Sequence, residues 1–283
     1  MKTHRLVLIF ILALTFFQSI NAQSDRKLLW HDEFDTDGAP NPEYWNHEQG
    51  FVRNHEYQWY QPANASASGG ILTIQGRLDS IPNPRYNSQR SGDWKRSRPY
   101  AQYSSSSINT RGKFEFLYGT LEVRARIPAV LGSWPAIWLL GSKYGWPSCG
   151  EIDVMEYYHV GGRPHILANA CWGNDQNGSV WNSKRIPYQH FYERDPYWNE
   201  RFHVWRMDWT AEYIRIYLDD ELLNDINLAK TINGRAGGND NPFHTPQYIL
   251  LNLAIGGDNG GEPLPDSFPM NYDIDYVRVY APE

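Results

Sequence analysis

Glu151, Asp153 and Glu156 fall within the run GEIDVMEYYHV, three carboxylates in six positions among Ile, Val, Met and Tyr. Carboxylates paired at short range suit glycosidic bonds: one attacks or activates water while the other delivers a proton to the departing oxygen. The apolar neighbours mark a buried strand, in which residues two apart share a face. Glu151 and Asp153 then point together, and Glu156 has the opposite parity. One extra residue, a β-bulge at Val154 or Met155, restores Glu156 to their face. At about 3.3 Å per residue the glutamate Cα atoms stand roughly 13 Å apart, and side chains leaning inward bring their carboxyl groups to about 5–6 Å, near the spacing of double-displacement chemistry. The ordinary alternative is a solvated acidic strand face. Against it, no Lys or Arg adjoins the three in the run, and tryptophan-rich segments flank it. Like charges crowded on one face raise at least one pKa, which keeps a carboxylic acid protonated at neutral pH.

The elements that must hold this strand alternate apolar and polar residues with period two. They are ILTIQGRL (71–78), KFEFLYGTLEVRARI (113–127), EIDVMEYY (151–158), HILANACW (165–172), HVWRMDWTAEYIRIYLDD (203–220), QYILLNLAI (247–255) and YDIDYVRVY (272–280), each bounded by Gly, Pro, Asn or Asp. Helical periodicity is confined to short pieces near 193–201 and 224–231. The pattern predicts an all-β fold, two antiparallel sheets packed as a β-sandwich or jelly roll. Two stretches, 79–106 and 173–202, read as long loops too rich in aromatics and arginine to be linkers, and are expected to wall a groove. The chain holds 12 Trp, 19 Tyr and 11 Phe. Much of this fills the core, but Trp146, Trp181, Tyr197 and others lie among Gly, Pro, Ser and Asn, where flat rings can stack on sugars.

Residues 1–22 combine Lys2 and Arg5, an apolar run from Leu6 to Phe17 and a small residue at Ala22, the pattern of a secretory signal peptide. The expected product is a single domain, 23–283, exported to the periplasm or outside the cell. No run is long enough to span a bilayer, so an integral membrane protein is not expected. A net charge of -6 argues against nucleic acid as partner. The expected state is a monomer meeting a neutral polymer.

The sequence resembles glycoside hydrolase family 16, closest to its laminarinase-like branch. The resemblance rests on GEIDVME, on LGSWPAIWLLG before it, on YILLNLAIGG and DIDYVRVY after it, and on LLWHDEFD and NHEYQWY nearer the start. It covers essentially all of 23–283. It implies a jelly roll with a concave substrate cleft, endo-acting hydrolysis of a β-linked polysaccharide or glycan with retention, and no catalytic cofactor. By matching positions, Glu151 would be the nucleophile, Glu156 the acid/base, and Asp153 the carboxylate that tunes them. Trp134, Trp138, Asn54 and Glu56 would bind substrate, and Trp172 is grouped with them. A structural Ca²⁺ on the convex face would use Glu33 and Asp275.

Three positions depart from the family pattern: Ser107 where Arg is usual, Cys171 where His is usual, and the insertion between Gly173 and Phe202. Two substrates therefore stand open, a β-1,3-glucan and a β-1,4-galactosyl polymer of keratan, O-glycan or algal type. A third reading, a sugar-binding module without catalysis, requires loss of a glutamate, and both are present. Cys149 and Cys171 fall within reach of each other if the hairpin turns near Val160 to Gly162, and bonded and free thiols both remain possible.

Overall fold

The computed structural model describes residues 26–176 and 178–282, and the expected signal peptide, 1–22, lies outside the described residues. Among these, period-two segments assemble into a ten-stranded and a seven-stranded sheet. The seven-stranded sheet runs Ser179–Pro187, Arg163–Gly173, Glu151–Val160, Ser133–Gly141, Gln247–Ile255, Ser107–Asn109, Asn46–His47, each strand antiparallel to its neighbours. The larger sheet centres on His203–Trp209, Gly119–Arg126, Met270–Tyr280 and Ile71–Pro82. It is antiparallel apart from the pairing of Gln58–Tyr60 with Tyr100–Ser105. The expected jelly-roll sandwich is the observed fold.

The core lies between the sheets because alternate residues of each strand are apolar. Ile137, Leu139, Ile152, Val154, Tyr157, Ile166 and Leu251 from the smaller sheet meet Leu121, Val123, Trp205, Met207, Trp209, Ile214 and Ile216 from the larger, all buried. Full burial of each such side chain contributes roughly 1.5–3 kcal/mol, enough to hold register against a one-residue slip that would turn every core residue outward. The opposite face of the smaller sheet carries a separate apolar cluster, Ala136, Trp138, Tyr248 and Leu250. That face is the floor of the cleft.

Several segments differ from expectation, each for a local reason. Residues 203–220 form two strands, His203–Trp209 and Tyr213–Leu218, joined by a turn that Thr210 closes by accepting from the amides of Glu212 and Tyr213. The strand expected from 113 begins only at Gly119, after Tyr118 enters the left-handed region (φ 64). Gly119 (φ 116) cannot be replaced there, since a Cβ would stand 2.2 Å from the Tyr280 carbonyl oxygen. Residues 224–231 divide into strand Glu221–Asn227 and a 3₁₀ turn Leu228–Lys230, which Asn227 caps by accepting from the Ala229 amide at 2.9 Å. The stretch 79–106 contributes strand residues at both ends, leaving a loop of 83–99.

The largest difference is at 173–202. It contains Ser179–Pro187, the outermost strand of the cleft sheet, followed by short helical turns Gln189–Tyr192 and Trp198–Glu200. As an edge strand it is exposed on its cleft-facing side, and on the other only Val180 and Ile186 pack on the core, with Asn182 and Lys184 between them, so it lacks the apolar alternation that marks the others.

Candidate active site

The catalytic strand Glu151–Val160 pairs with both neighbours in register up to Asp153, and then slips. On one side Asp153 faces Asn169 and Glu156 faces Leu167; on the other, Asp153 faces Trp138 and Met155 faces Ile137. One residue is therefore extra between Asp153 and Glu156, as the parity argument requires. Val154 and Met155 both turn into the core, while Glu151, Asp153, Glu156 and Tyr158 line a cleft of about 690 Å³.

Each carboxylate has its own donors. Trp146 Nε1 donates to Glu151 Oε2 at 2.6 Å, and Trp134 Nε1 to Glu156 Oε1 at 2.8 Å. Asn169 Nδ2 lies 3.1 Å from both Asp153 Oδ2 and Glu156 Oε2, tying the two together from the neighbouring strand. Asp153 is the most enclosed, 1 % exposed. Burial first, and then the charges of Glu156 and Glu151, hold its pKa well above the usual range, with the Asn169 donor opposing. Burial raises the Glu151 pKa overall as well, with the Trp146 indole and Asp153 opposing it. Glu156 is pushed up to about 7, chiefly by burial, with the charge of Glu151 adding to it and the Trp134 and Asn169 donors opposing. The cluster thus sets Glu151, whose charged form the Trp146 donor supports, beside a Glu156 raised to about 7.

Around this centre the floor is apolar and the rims polar. Trp138 lies in the floor, its Nε1 donating to Asn252 Oδ1 at 2.7 Å and the Arg53 guanidinium 5.0 Å over its ring. Arg53 is fixed by Glu48, which also accepts from Ser107 Oγ at 2.6 Å. Ser107, one of the departing positions, therefore sits beneath an arginine that reaches the cleft from another segment. Asn54 and His55 take left-handed backbone (φ 54 and 51) at the rim. Gly257 (φ 72) lets this turn close, since a Cβ would meet the Asn54 carbonyl oxygen at 2.6 Å. Glu56 is 2 % exposed, accepts from Gln58 Nε2 at 2.7 Å, and is raised to about 7 by burial, against the opposing Arg53.

The structure thus brings Glu151, Asp153, Glu156, Trp134, Trp138, Asn54 and Glu56 to one cleft. Trp172 is a correction. On Arg163–Gly173 it has the parity of the core residues Ala168 and Ala170, opposite to Asn169, and its ring meets Phe243 edge-on at 6.5 Å inside the sandwich. Cys171 faces Glu151 across the strands, and it and Cys149 are buried free thiols. Glu33 and Asp275, the residues expected to hold a structural Ca²⁺, each have an arginine partner in this structure. Glu33 is held at both oxygens by Arg278 (2.8 and 2.7 Å), and Asp275 is paired with Arg124. Among the described residues no group of three or more His, Cys, Asp or Glu side chains stands together that could hold a metal ion.

Sequence reasoning missed Asn169, Arg53, Asn252 and Arg185. A polar residue at the cleft-facing parity of an otherwise apolar strand was the available signal for Asn169 and Asn252. Arg53 and Arg185 carry no such mark, one lying before a turn and the other in the unrecognised edge strand.

A jelly roll with two glutamates and an aspartate on a bulged strand in an open cleft defines a retaining glycoside hydrolase. The sequence matches Glycosyl hydrolases family 16 over residues 75–278, and the chain belongs to that family. It is 35 % identical to a β-glucanase of Rhodothermus marinus, across 90 % of this chain and 85 % of the relative. It is 33 % identical to a keratan-sulfate endo-1,4-β-galactosidase of Sphingobacterium multivorum, across 92 % of this chain but 56 % of that relative. The fold superposes on the laminarinase of Rhodothermus marinus with a TM-score of 0.71 at 34 % identity, covering 90 % of this chain and 97 % of the other. A structure solved among the endo-acting O-glycanases that human gut microbiota express to initiate mucin breakdown matches with a TM-score of 0.78 at 31 % identity, covering 90 % and 91 %.

Proposed function

We propose that the protein is an exported endo-β-1,3-glucanase that hydrolyses internal bonds of a laminarin-like polysaccharide by double displacement. The observation that carries the chemistry is the bulge between Asp153 and Glu156, which turns both glutamates onto the floor of an open cleft. Glu151, its charged form supported by the Trp146 donor, attacks the anomeric carbon. Glu156 gives its proton to the departing oxygen and then takes one from water. Asp153 makes no bond to sugar; it tunes Glu151 through their hydrogen bond. Trp138 and Trp134 supply ring faces beside the glutamates, and Asn54 and Glu56 close one rim. The β-glucanase and laminarinase likenesses support glucan as the substrate. Export rests on the 1–22 pattern.

A second reading, cleavage of β-1,4-galactosyl bonds in keratan-type or O-linked glycans or algal galactans, is favoured by the outer strand Ser179–Pro187, which adds Trp181, Ser183 and Arg185 to the cleft, and by the galactosidase and O-glycanase likenesses. Product analysis on laminarin, on a poly-N-acetyllactosamine and on an agar-type galactan separates the two. A ladder of glucose oligosaccharides from laminarin alone supports the first reading. Products from a galactosyl substrate alone overturn it in favour of the second.

A further inference from the structure

The outer strand Ser179–Pro187 places Trp181, Ser183 and Arg185, at alternate positions, on the wall of the cleft. Register fixes their order relative to the chemistry: Trp181 faces Cys171, which faces Glu151; Ser183 faces Asn169, which faces Asp153; Arg185 faces Leu167, which faces Glu156. A ring face, a hydroxyl and a cation thus stand side by side on one wall.

Arg185 is unlike the other arginine of the cleft. Arg53 is neutralised by Glu48. Arg185 is exposed and makes no ion pair or hydrogen bond with any described residue, and it acts electrostatically on the phenol of Tyr158, which also lines the cleft. A free guanidinium presents a planar fork of donors that matches the oxygens of an anion. The surroundings also limit where such an anion can sit. The centre of the cleft carries the acidic cluster with the Glu151 nucleophile, whose charge repels an anion, so a charged substituent is tolerated only toward the wall. A second group of cations stands beyond the opposite rim. The loop 83–99 carries Arg85, Arg90, Lys95, Arg96 and Arg98 against Asp93, in a chain whose net charge is -6. It packs on that rim through Trp94, which contacts His55 and Phe51, and through Arg98, which donates to the Glu56 carbonyl at 3.1 Å.

We propose that Arg185 binds an anionic substituent, a sulfate ester or a carboxylate, on the saccharide lying along the outer wall, so that the preferred substrate is a charged polysaccharide. The proposal rests on the reading of this cleft as an endo-glycosidase site but on neither of its two backbones. A long-range contribution from the loop 83–99 makes the preference weaken as salt is raised.

The test compares substituted and unsubstituted forms of each backbone: keratan sulfate with its desulfated form, sulfated with plain laminarin, and sialylated with desialylated poly-N-acetyllactosamine. Wild type, Arg185→Gln and Arg185→Lys are assayed for kcat/KM. In parallel, binding of the same polymers is measured in the Glu151→Ala background. On the backbone that is cleaved, wild type should favour the charged form by about tenfold. Arg185→Gln should bring that ratio near one, and Arg185→Lys should retain part of it. The sulfated and sialylated arms tell which anion is read. A ratio near one for wild type, or a preference that survives Arg185→Gln, overturns the proposal. Should no backbone be cleaved, the enzymatic reading fails, and the binding ratios with and without Arg185 still decide the role of this residue.

Discussion

Glu151 and Glu156 stand an odd number of positions apart on one strand and face the same way. A regular strand forbids this, and the extra residue between Asp153 and Glu156 permits it, with Val154 and Met155 both anchored in the core. The bulge is held by apolar burial on one side and by Asn169 on the other, whose amide nitrogen reaches Asp153 and Glu156 at 3.1 Å each.

Asn169 should therefore act as a positioning residue. Its donor opposes the burial that raises Glu156, so Asn169→Ala should raise the Glu156 pKa further and move the alkaline limb of the kcat/KM profile from near 7 to higher pH. A fall in kcat of about tenfold or more should accompany it through lost orientation. A profile unmoved by the substitution would show that Asn169 serves packing alone.

The carboxylate cluster and its bulge were legible because strand parity is a local rule: three acidic residues and four apolar ones suffice to locate the extra residue. The same rule applied to HILANACW separates Asn169 and Cys171 from Trp172, whose place in the core follows from its parity with Ala170. Its neighbourhood in sequence to cleft residues was misleading. The edge strand Ser179–Pro187 was illegible because one face is exposed and Asn182 and Lys184 break the apolar run of the other, so the alternation that reports burial is missing. Glu33 and Asp275 look like loose carboxylates in sequence, since their partners, Arg278 and Arg124, come from distant strands.

The two tryptophans should separate by phenotype. Trp172→Phe leaves a gap beside Phe243 in the sandwich and should cost about 1–3 kcal/mol in denaturant unfolding, with KM unchanged. Trp138→Phe removes the indole donor to Asn252 and narrows the floor under Arg53, and should lower kcat/KM by about tenfold. A raised KM in Trp172→Phe without loss of stability would return that residue to the binding account.

Glu56 ties the rim to pH. Its pKa is raised to about 7 by burial, with Arg53 and Gln58 opposing, so the folded protein holds this proton at pH values where the unfolded chain has released it. The stability it contributes is complete below the unfolded value near 4.5 and is lost as pH rises through about 7, a change on the order of 3 kcal/mol. Glu56→Gln should remove this component. Urea unfolding at pH 5 and pH 8 should show a smaller difference for the variant than for wild type, and equal differences would show that Glu56 does not carry the effect.

The roles of the two glutamates are separable by trapping. Retaining chemistry needs an ionised carboxylate to attack the anomeric carbon and a protonated one to assist departure. Asp153 and Trp146 favour the anion on Glu151, whereas Glu156 keeps its proton to near neutrality. Glu151→Ala should abolish turnover while leaving oligosaccharide binding, and azide should rescue it as a glycosyl azide of inverted configuration, attacking from the vacated side. Glu156→Ala should keep activity on an activated aryl glycoside, whose departure needs no proton. Azide should there give a product of retained configuration, because it intercepts the intermediate formed on Glu151. Asp153→Asn should slow both steps without eliminating either, since it acts on both glutamates but makes no bond to the sugar. The opposite pair of azide products would exchange the two roles, and an inverted product from wild type would exclude the covalent intermediate.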